Sequence, residues 1–435
     1  MTSNPHRREW FGQPRGLTIL FLTDMWGQFS FYGMRALLVY YMTKQLRIEQ
    51  QQASMIYGLY TATVFLTPLA GGVLADRWLG RKAAVILGAS IMACGHFMMA
   101  SESLFFPALV VIATGSGLFI PSLPAQIDGL YARDDPRRRS AYNIYYVGIN
   151  LGALLAPLVV GTVGELYGWH WGFTVAGIGM GIGLLTYLAG SRNLPRTTGG
   201  EVNRSAEVLG GTEDRVPPSR GALRERISLL LCIAACVVVF RSAYEQLGNT
   251  VALWLDTGVD RTVTAHWSVP MTWFMALNPL LVFSLTPLLV SRWTRKAALG
   301  REPSSVIKMW TGALLVCGSY VMLAAAAWWA SAHGLQTSWL WFLAFFVLMT
   351  LGELHILPVG LGLFGRLAPK GLASTAIATW YLAGFFGNLI AGWLGGLWSV
   401  IGHAAFFALV GILALVAGVL LLLLVPWSLR VESVA

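Results

Sequence analysis

Charged side chains are scarce in this sequence. Only 11% of its 435 residues are Asp, Glu, Lys or Arg, whereas 56% are apolar or aromatic. A soluble domain carries about 25% charged residues, so this chain has too few polar groups to cover a globular surface in water. The shortage excludes an ordinary soluble enzyme and a disordered protein, and it leaves a helical protein that crosses a membrane many times.

Cysteine is also rare, with four in the whole chain. Cys94, Cys232, Cys236 and Cys317 lie inside apolar runs without metal-ligating neighbours, so we interpret them as packing residues and exclude a disulfide-held fold. The sequence also lacks the HExxH and GxSxG motifs and any close Ser–His–Asp or Cys–His arrangement. We therefore predict that the protein is not an enzyme and that it uses no metal and no cofactor.

Long apolar runs, by contrast, are abundant. Those that reach the length needed to span a bilayer number twelve and fall at about 17–43, 52–75, 83–101, 105–131, 140–163, 170–191, 227–249, 268–291, 306–332, 337–366, 372–398 and 402–427. One long polar segment, 192–226, has the Gly-, Pro- and charge-rich composition of a flexible linker. The sequence therefore predicts an N-terminal six-helix bundle over 1–191, a cytoplasmic linker over 192–226 and a C-terminal six-helix bundle over 227–435.

The Lys and Arg residues fix the expected orientation. When the N-terminus is placed in the cytoplasm, the opposite side of the membrane carries only Lys44, Arg47 and Arg261, and nearly all other basic residues are cytoplasmic. The positive-inside rule then places both termini on the cytoplasmic side of the cell membrane (inner or plasma membrane). This topology and contact with anionic lipid explain the net charge of +10, so we predict no nucleic-acid partner.

Five ionisable residues inside the predicted spans form the strongest functional signal, because a charge within a bilayer normally faces a cavity or a partner. They are Asp24, Arg35, Arg241, Glu245 and Glu353. Asp24 and Arg35 share a face of the first span but are about 16 Å apart along the helix axis, so they cannot simply neutralise each other. Arg241 and Glu245 have the i, i+4 spacing of a local ion pair, whereas Glu353 has no cation within one turn.

Neutral polar residues form further stripes at helical spacing. Tyr146 and Asn150 share a face of the fifth span, and Trp380 lies on a polar face of the eleventh. Asn278, followed by Pro279, marks a helix interruption whose freed backbone carbonyls can line a cavity. Each stripe alone is also typical of hydrogen-bonded helix packing. We hypothesise that these faces and the ionisable residues converge on one central cavity.

Several motifs resemble known transporters. Residues 71–82 (GGVLADRWLGRK) are similar to the signature between the second and third spans of the major facilitator superfamily. Residues 29–38 (FSFYGMRALL), 145–153 (YYVGINLGA), 244–246 (YEQ) and 351–361 (LGELHILPVGL) resemble the proton-dependent oligopeptide transporter family, over nearly the whole chain. The resemblance implies an all-α membrane protein in which twelve transmembrane helices form the two six-helix bundles of the major facilitator fold.

The resemblance also implies a function. A member of this family is a secondary active transporter that carries peptides or peptide-like compounds by alternating access, and we expect it to be a symporter driven by the proton gradient. The implied partners are a small peptide or peptide-like substrate, protons and membrane lipid, and we expect a monomer.

Roles for individual residues follow from the same resemblance. Arg35 would hold a substrate carboxylate, and Glu353 with Asn150 and Asn278 would hold an amino group. The walls for substrate side chains would be formed by Tyr32, Tyr146 and Trp380. The cytoplasmic gate would comprise Asp76, Arg77 and Arg81.

Proton coupling is expected first at Glu245 and second at Asp24. We further expect, from the i, i+4 spacing, that a proton on Glu245 releases Arg241 and that Arg241 then pairs with substrate. Arg241 is therefore added to the expected substrate-binding residues.

The sequence departs from the family at the residues that usually form one charge cluster. The family motif Glu-x-x-Glu-Arg reads DMWGQ at 24–28, and Ile120 stands where a lysine is usual in the fourth span. The second Glu, the Arg and the Lys of this cluster are all absent. Because they are lost together, none of them is left buried without its partners. Because Arg241 replaces an aromatic residue of the seventh span, positive charge is moved toward the C-terminal half.

Two alternatives stay open, and the missing cluster and the drier pocket predicted by Phe31, Phe65 and Ile120 favour the first of them. The first is an uncoupled facilitator, or an exporter, of a non-standard substrate such as a modified peptide, a natural product or a drug-like compound. The second, from another functional class, is a membrane receptor that binds a ligand without transporting it.

Overall fold

The computed structural model describes residues 9–10, 12–132, 135–195, 220–369 and 372–434. Most of the predicted linker 192–226 lies outside the described residues, which stop at 195 and resume at 220. The α-helices within the described ranges are α1 Arg15–Tyr40, α2 Gln50–Leu74, α3 Arg81–Met98, α4 Phe105–Ser122, α5 Arg137–Ala156, α6 Thr162–Tyr167, α7 Trp169–Gly190, α8 Arg220–Tyr244, α9 Thr250–Thr257, α10 Leu277–Ala298, α11 Ser305–His333, α12 Trp339–Leu367, α13 Ala373–Gly395 and α14 His403–Val434.

Short segments of other secondary structure connect or extend these helices. The π-helical segments are Tyr41–Gln45, Ala75–Leu79 and Pro157–Gly161, and the 3-10 segments are Glu102–Leu104, Pro124–Gln126, Asp128–Leu130, Ser191–Asn193, Glu245–Gly248 and Met271–Ala276. The strands are β1 Glu9–Trp10, β2 Gln13–Pro14, β3 Val259–Asp260, β4 Thr262–Thr264, β5 Trp267–Ser268 and β6 Thr337–Ser338. They form three two-stranded pairs: β1 with β2 and β4 with β5 are antiparallel, and β3 with β6 is parallel.

The fourteen α-helices of the described residues make twelve spans. The segment Pro157–Gly161 joins α5 to α6, and Glu245–Gly248 lies between α8 and α9, so each pair forms one interrupted span. Among the described residues, ten helices are long and apolar enough to cross a membrane. The other two are α1, whose polar residues include Asp24 and Arg35, and α3, which begins with two basic residues.

The chain divides into two compact units. The first unit comprises Met1–Tyr41 and Leu66–Ala206, and the second comprises Met42–Phe65 and Glu207–Ala435. Helix α2 therefore contributes its N-terminal part to the second unit and its C-terminal part to the first. The domain boundaries expected from the sequence, at 191 and 227, stay a prediction.

In the first unit, α1 packs against both α5 and α7, while α3 packs against α4 and α7. The core beneath these helices includes Leu20, Phe119 and Tyr187, which are almost fully buried. The Tyr187 hydroxyl donates a hydrogen bond to Gln126 Oε1 at 2.9 Å, so a polar atom in this core is satisfied. These contacts hold α1, which carries two of the predicted ionisable residues, at the centre of the first unit.

In the second unit, α11 packs against α12 and α14, and α8 packs against α13 and α14. Aromatic rings fill the spaces between these helices; the Trp254 ring lies 5.3 Å from that of Phe342 and 4.9 Å from that of Phe407. Such ring pairs stabilise the packing beyond the area that they bury. Because Trp254 lies in α9, these contacts pack α9, the short helix that follows Glu245–Gly248, against α12 and α14.

The N-terminal part of α2 approaches α13 closely within the second unit. A Cβ atom placed on Gly58 would lie 2.4 Å from the Cα of Gly392, so the two backbones touch at this point. Two hydrogen bonds flank the contact: Ser54 Oγ donates to Asn249 Oδ1 at 2.9 Å and Gln50 Nε2 donates to the Gly395 carbonyl at 2.9 Å. Small residues permit this approach, and polar groups then secure it, as is typical of helix pairs in membranes.

The close approach predicts that Gly58→Ala destabilises the protein, because the added methyl group meets backbone that cannot move aside, at a cost of about 1–3 kcal/mol. Thermal unfolding of the purified protein in detergent measures the effect as a lowered melting temperature. The matched control is Gly318→Ala, whose methyl group would point into open space on α11 and should be neutral or slightly stabilising. Equal melting temperatures for the two variants would contradict the assigned contact.

Candidate functional site

An ion pair lies at the C-terminal end of α8 in the second unit. Arg241 Nη1 donates to Glu245 Oε1 at 2.7 Å, and the two residues are only 8% and 2% exposed. Helix α8 ends at Tyr244, so Glu245 opens the 3-10 segment that interrupts this span. The predicted i, i+4 pair is thus formed, and it is buried where an unpaired charge would be costly.

The guanidinium group of Arg241 also packs on an aromatic ring. Its Cζ atom lies 4.8 Å from the ring centroid of Phe65, in the part of α2 that belongs to the second unit. A cation over a ring face is attracted by the negative face of the π-system. Phe65 therefore holds the plane of the guanidinium group, and Glu245 holds one of its ends.

A second carboxylate, Glu353 of α12, lies in the same unit. Asn278 Nδ2 donates to Glu353 Oε2 at 2.6 Å and is also 3.2 Å from Thr350 Oγ1. The Tyr244 side chain forms another hydrogen bond with Glu353. The sequence placed Glu353 and Asn278 at one site, and the structure brings them into direct contact within the second unit.

The two carboxylates share one guanidinium group. Arg241 and Glu245 both lie near enough to Glu353 to act on its carboxylate electrostatically, Arg241 by attraction and Glu245 by repulsion. With both acids ionised, this cluster carries one more negative charge than positive charge. A cluster of that kind favours either the uptake of one proton or the binding of one further cation, such as an ammonium group.

In the first unit, Asp24 of α1 occupies a neutral polar site. It is 2% exposed, and Gln28 Nε2 donates to its Oδ1 atom at 3.1 Å. Tyr145 of α5 forms a side-chain hydrogen bond with the same carboxyl group. The carboxyl group is thus held by neutral donors from two helices of the first unit, in contrast to the Arg-paired Glu245 of the second.

The packing beside Asp24 explains the missing second acid of the family motif. A Cβ atom on Gly27 would lie 2.6 Å from Cε1 of the Phe119 ring, and Phe119 is only 1% exposed. The ring fills the space that a longer side chain at position 27 would need. Changing position 27 back to an acid would therefore require the core around Phe119 to rearrange.

The other predicted substrate-binding residues of the first unit lie on α1 and α5. Tyr32 and Arg35 are half-buried, Tyr146 is 48% exposed and Asn150 is 8% exposed. Asn150 Nδ2 donates to the Tyr146 carbonyl at 3.0 Å, one turn earlier on its own helix. Tyr146 is thus the member of this group whose side chain is most accessible.

Trp380 lies on α13 in the second unit and is 7% exposed. Its ring makes an edge-to-face contact with Phe364 of α12 at 5.3 Å. Most of its surface is therefore used for packing between these two helices, and only a small part is left to contact a ligand.

The predicted gate residues lie in the first unit, with Asp76 and Arg77 in the π-helical segment that follows α2 and Arg81 at the start of α3. Asp76 Oδ1 is 3.5 Å from Arg81 Nε, and Arg81 Nη1 donates to the Ala125 carbonyl at 2.6 Å. Arg77 is exposed. The structure therefore brings Asp76 and Arg81 together and ties them to the end of α4, while Arg77 points to the surface.

Sequence reasoning missed two tyrosines that complete these sites. Tyr145 contacts Asp24, although the helical stripe drew attention to the neighbouring Tyr146, and Tyr244 contacts Glu353 from the residue beside Glu245. A buried carboxyl group needs hydrogen-bond donors. A tyrosine without an assigned role stood in each motif, and it could have been proposed as that donor. Among the described residues, no group of three or more His, Cys, Asp or Glu is arranged to hold a metal ion.

Comparisons with known proteins identify the family of this chain. The sequence profile of the POT family matches residues 82–209 and 222–407. The chain is 32% identical to the peptide transporter YePEPT of Yersinia enterocolitica, over 91% of this chain and 90% of that protein. It is 30% identical to a di-/tripeptide transporter of Lactococcus lactis subsp. cremoris, over 97% of each chain.

A solved structure of a peptide transporter is also similar to this chain. The crystal structure of the peptide transporter POT in complex with sulfate superposes with a TM-score of 0.87 and 28% identity, covering 98% of this chain and 96% of that one. The predicted fold class is confirmed: the protein is a multi-pass, all-α membrane protein with the major facilitator fold. The chain belongs to the POT family, and it is a transporter and not an enzyme.

Proposed function

We propose that this transporter carries peptides or peptide-like compounds, coupled to protons, by alternating access. The names of its relatives support the substrate class, since they include a peptide transporter and a di-/tripeptide transporter. The Lys and Arg distribution supports a topology with both termini in the cytoplasm, in the inner or plasma membrane. We propose that the working unit is a monomer and that its partners are substrate, protons and membrane lipid.

One observation carries the proposal: the second unit holds the buried Arg241–Glu245 ion pair within electrostatic range of a second acid, Glu353. Its excess of one negative charge suits a zwitterionic peptide, because an ammonium group on Glu353 would balance the cluster. Asn278 and Tyr244 fix the Glu353 carboxylate for that purpose. As the resemblance implies, Arg35 would take the substrate carboxylate and Asn150 would help to hold the amino group. The walls for substrate side chains would be formed by Tyr32, Tyr146 and Trp380.

The proton is assigned to Glu245. A proton on this carboxylate removes its charge and weakens the bond to Arg241, so that Arg241 becomes available to an anionic group. The other groups that face this pair are Glu353 of α12, Tyr320 of α11 and Tyr381 of α13, and protonation of Glu245 leaves one acid and one base among them. Asp24, which is held by neutral donors, is the second candidate for a proton site.

The gate is assigned to the cytoplasmic end of the first unit. Asp76 and Arg81 hold the π-helical end of α2 near the end of α4, and Arg77 is exposed beside them. A long, partly exposed ion pair of this kind contributes little to stability, which suits a contact that is broken and remade in each transport cycle.

A second candidate is an uncoupled facilitator, or an exporter, of a modified peptide, natural product or drug-like compound. The packing of Phe119 beside Gly27 favours it, because the position of a family acid is filled by an aromatic ring. A receptor that binds without transport is the candidate from another class.

Uptake of labelled di-alanine into proteoliposomes tests the proposed function. We expect accumulation above equilibrium when the outside is more acidic than the inside, because protons entering down their gradient drive the peptide inward. Equal uptake with and without the gradient would favour the facilitator. Failure with peptides, together with binding of larger amphipathic compounds, would favour the non-standard substrate, and peptide binding without flux would favour the receptor.

Glu245→Gln should abolish proton-driven accumulation and preserve counterflow exchange of peptide, because glutamine removes the proton acceptor but keeps the side-chain shape. The matched control is Glu225→Gln on the exposed part of the same helix, which should leave both activities unchanged. Unchanged pH-driven uptake in Glu245→Gln would refute the assignment, and loss of driven uptake in Asp24→Asn alone would move the proton site to Asp24.

A further inference from the structure

Arg241 presents a second edge that the ion pair does not use. Glu245 accepts from Nη1, whereas Nε is buried and has no hydrogen-bond partner among the described residues. In a guanidinium group, Nε and Nη2 form one edge, and this edge can donate two parallel hydrogen bonds to a carboxylate. A buried donor left without a partner is costly in a folded protein, so the open edge indicates a group that binds there during function.

The Nε edge of Arg241 is held in place before any ligand binds. Phe65 supports the face of the guanidinium group at 4.8 Å, and Glu245 fixes the end of the group at 2.7 Å. The Arg241 side chain is 10% exposed and its Nε atom is buried, so a substrate carboxylate would have to enter the site to reach this edge. Such fixed geometry lowers the entropy that a ligand must lose when it binds.

Resting on the proposed function, we propose that the Nε edge of Arg241 is a specificity subsite for an acidic side chain, so that the transporter prefers small peptides containing Asp or Glu. A neutral dipeptide has one carboxylate, for which Arg35 is the proposed partner, and one ammonium group, for which Glu353 is the proposed partner. An acidic dipeptide brings one further carboxylate, and Arg241 supplies the further cation. The aromatic residue usual at this position in the family has no charge to offer.

The same geometry links the preference to the proton. Arg241 faces Glu245 on its own helix span, Glu353 on α12 and Tyr381 on α13. While Glu245 is ionised, it competes with a substrate carboxylate for the positive charge of Arg241. Once Glu245 takes a proton, that competition ends, so the preference for an acidic peptide should be larger while Glu245 is protonated.

Counterflow of labelled di-alanine, inhibited by unlabelled dipeptides, tests this subsite. The informative pair is glutamyl-alanine and glutaminyl-alanine, which have nearly the same shape and differ by one charge; lysyl-alanine reverses that charge. In the unmodified protein we expect the acidic dipeptide to inhibit about tenfold more tightly than its amide, the size of one well-formed charged contact. Arg224→Gln, on the exposed part of α8, is the matched control and should keep this ratio.

Two variants separate the subsite from a general effect on folding. Glu245→Gln leaves Arg241 without its competitor, so the acidic preference should persist or increase. The double variant Arg241→Gln/Glu245→Gln removes both members of the pair, strands no charge, and should bring the ratio of the two inhibition constants close to one. The melting temperature and the size-exclusion profile of each variant in detergent report that it is folded, and the ratio of inhibition constants is compared at whatever rate of di-alanine counterflow each variant retains.

The possible outcomes are distinct. Di-alanine counterflow with equal inhibition by the acidic peptide and its amide would overturn the subsite and leave the proposed function standing. Persistence of the preference in the double variant would assign it to a residue other than Arg241 and would overturn the subsite as well. Absence of any peptide counterflow in the unmodified protein would overturn the proposed function, and the subsite with it.

Discussion

The cost of a charge buried in an apolar protein governs the arrangement of this molecule. Arg241 and Glu245 are almost fully buried in the second unit, at a separation of 2.7 Å. Removing one partner of such a pair leaves the other uncompensated, at a cost of about 3–5 kcal/mol. Each member therefore persists because the other is present, and protonation of one necessarily changes what the other can bind. In the proposed transport cycle, substrate recognition and proton uptake are in this way tied to a single contact.

The same constraint explains why the two units differ. In the first unit, the acid at position 24 is held by Gln28 and Tyr145, and Phe119 packs where a second acid would extend. In the second unit, the acids share Arg241, whose ring support comes from Phe65. A chain that lacks the usual Glu, Arg and Lys in its first half can retain a charged cluster only by having a cation elsewhere, and Arg241 supplies it.

Much of this could be predicted from the sequence, because membrane burial makes apolar runs and isolated charges conspicuous. The twelve spans, the Arg241–Glu245 pair and the meeting of Glu353 with Asn278 all followed from hydropathy, helical spacing and motif resemblance. The roles of Tyr145, Tyr244 and Phe119 did not, because they depend on which helix faces which, and helical period alone does not define a neighbour. Tyr145 and Tyr146 illustrate this limit. They are adjacent in the sequence and point in different directions around α5, so the rotation of this helix about its axis decides which of them reaches Asp24.

The unused edge of Arg241 could not be predicted from the sequence. Helical spacing predicts that an ion pair forms but not which nitrogen atoms of the guanidinium group it uses. A glutamate one turn along the helix reaches Nη1, and Nε on the side edge has no hydrogen-bond partner within the described part of the chain. An aromatic residue at this position would offer a neutral wall, and a lysine would offer a single rotating ammonium group. Only arginine can bind the Glu245 carboxylate with one end and present a second, directional edge to an anion. The exchange of an aromatic residue for arginine therefore changes both the charge of the cluster and the number of carboxylates that it can hold at once.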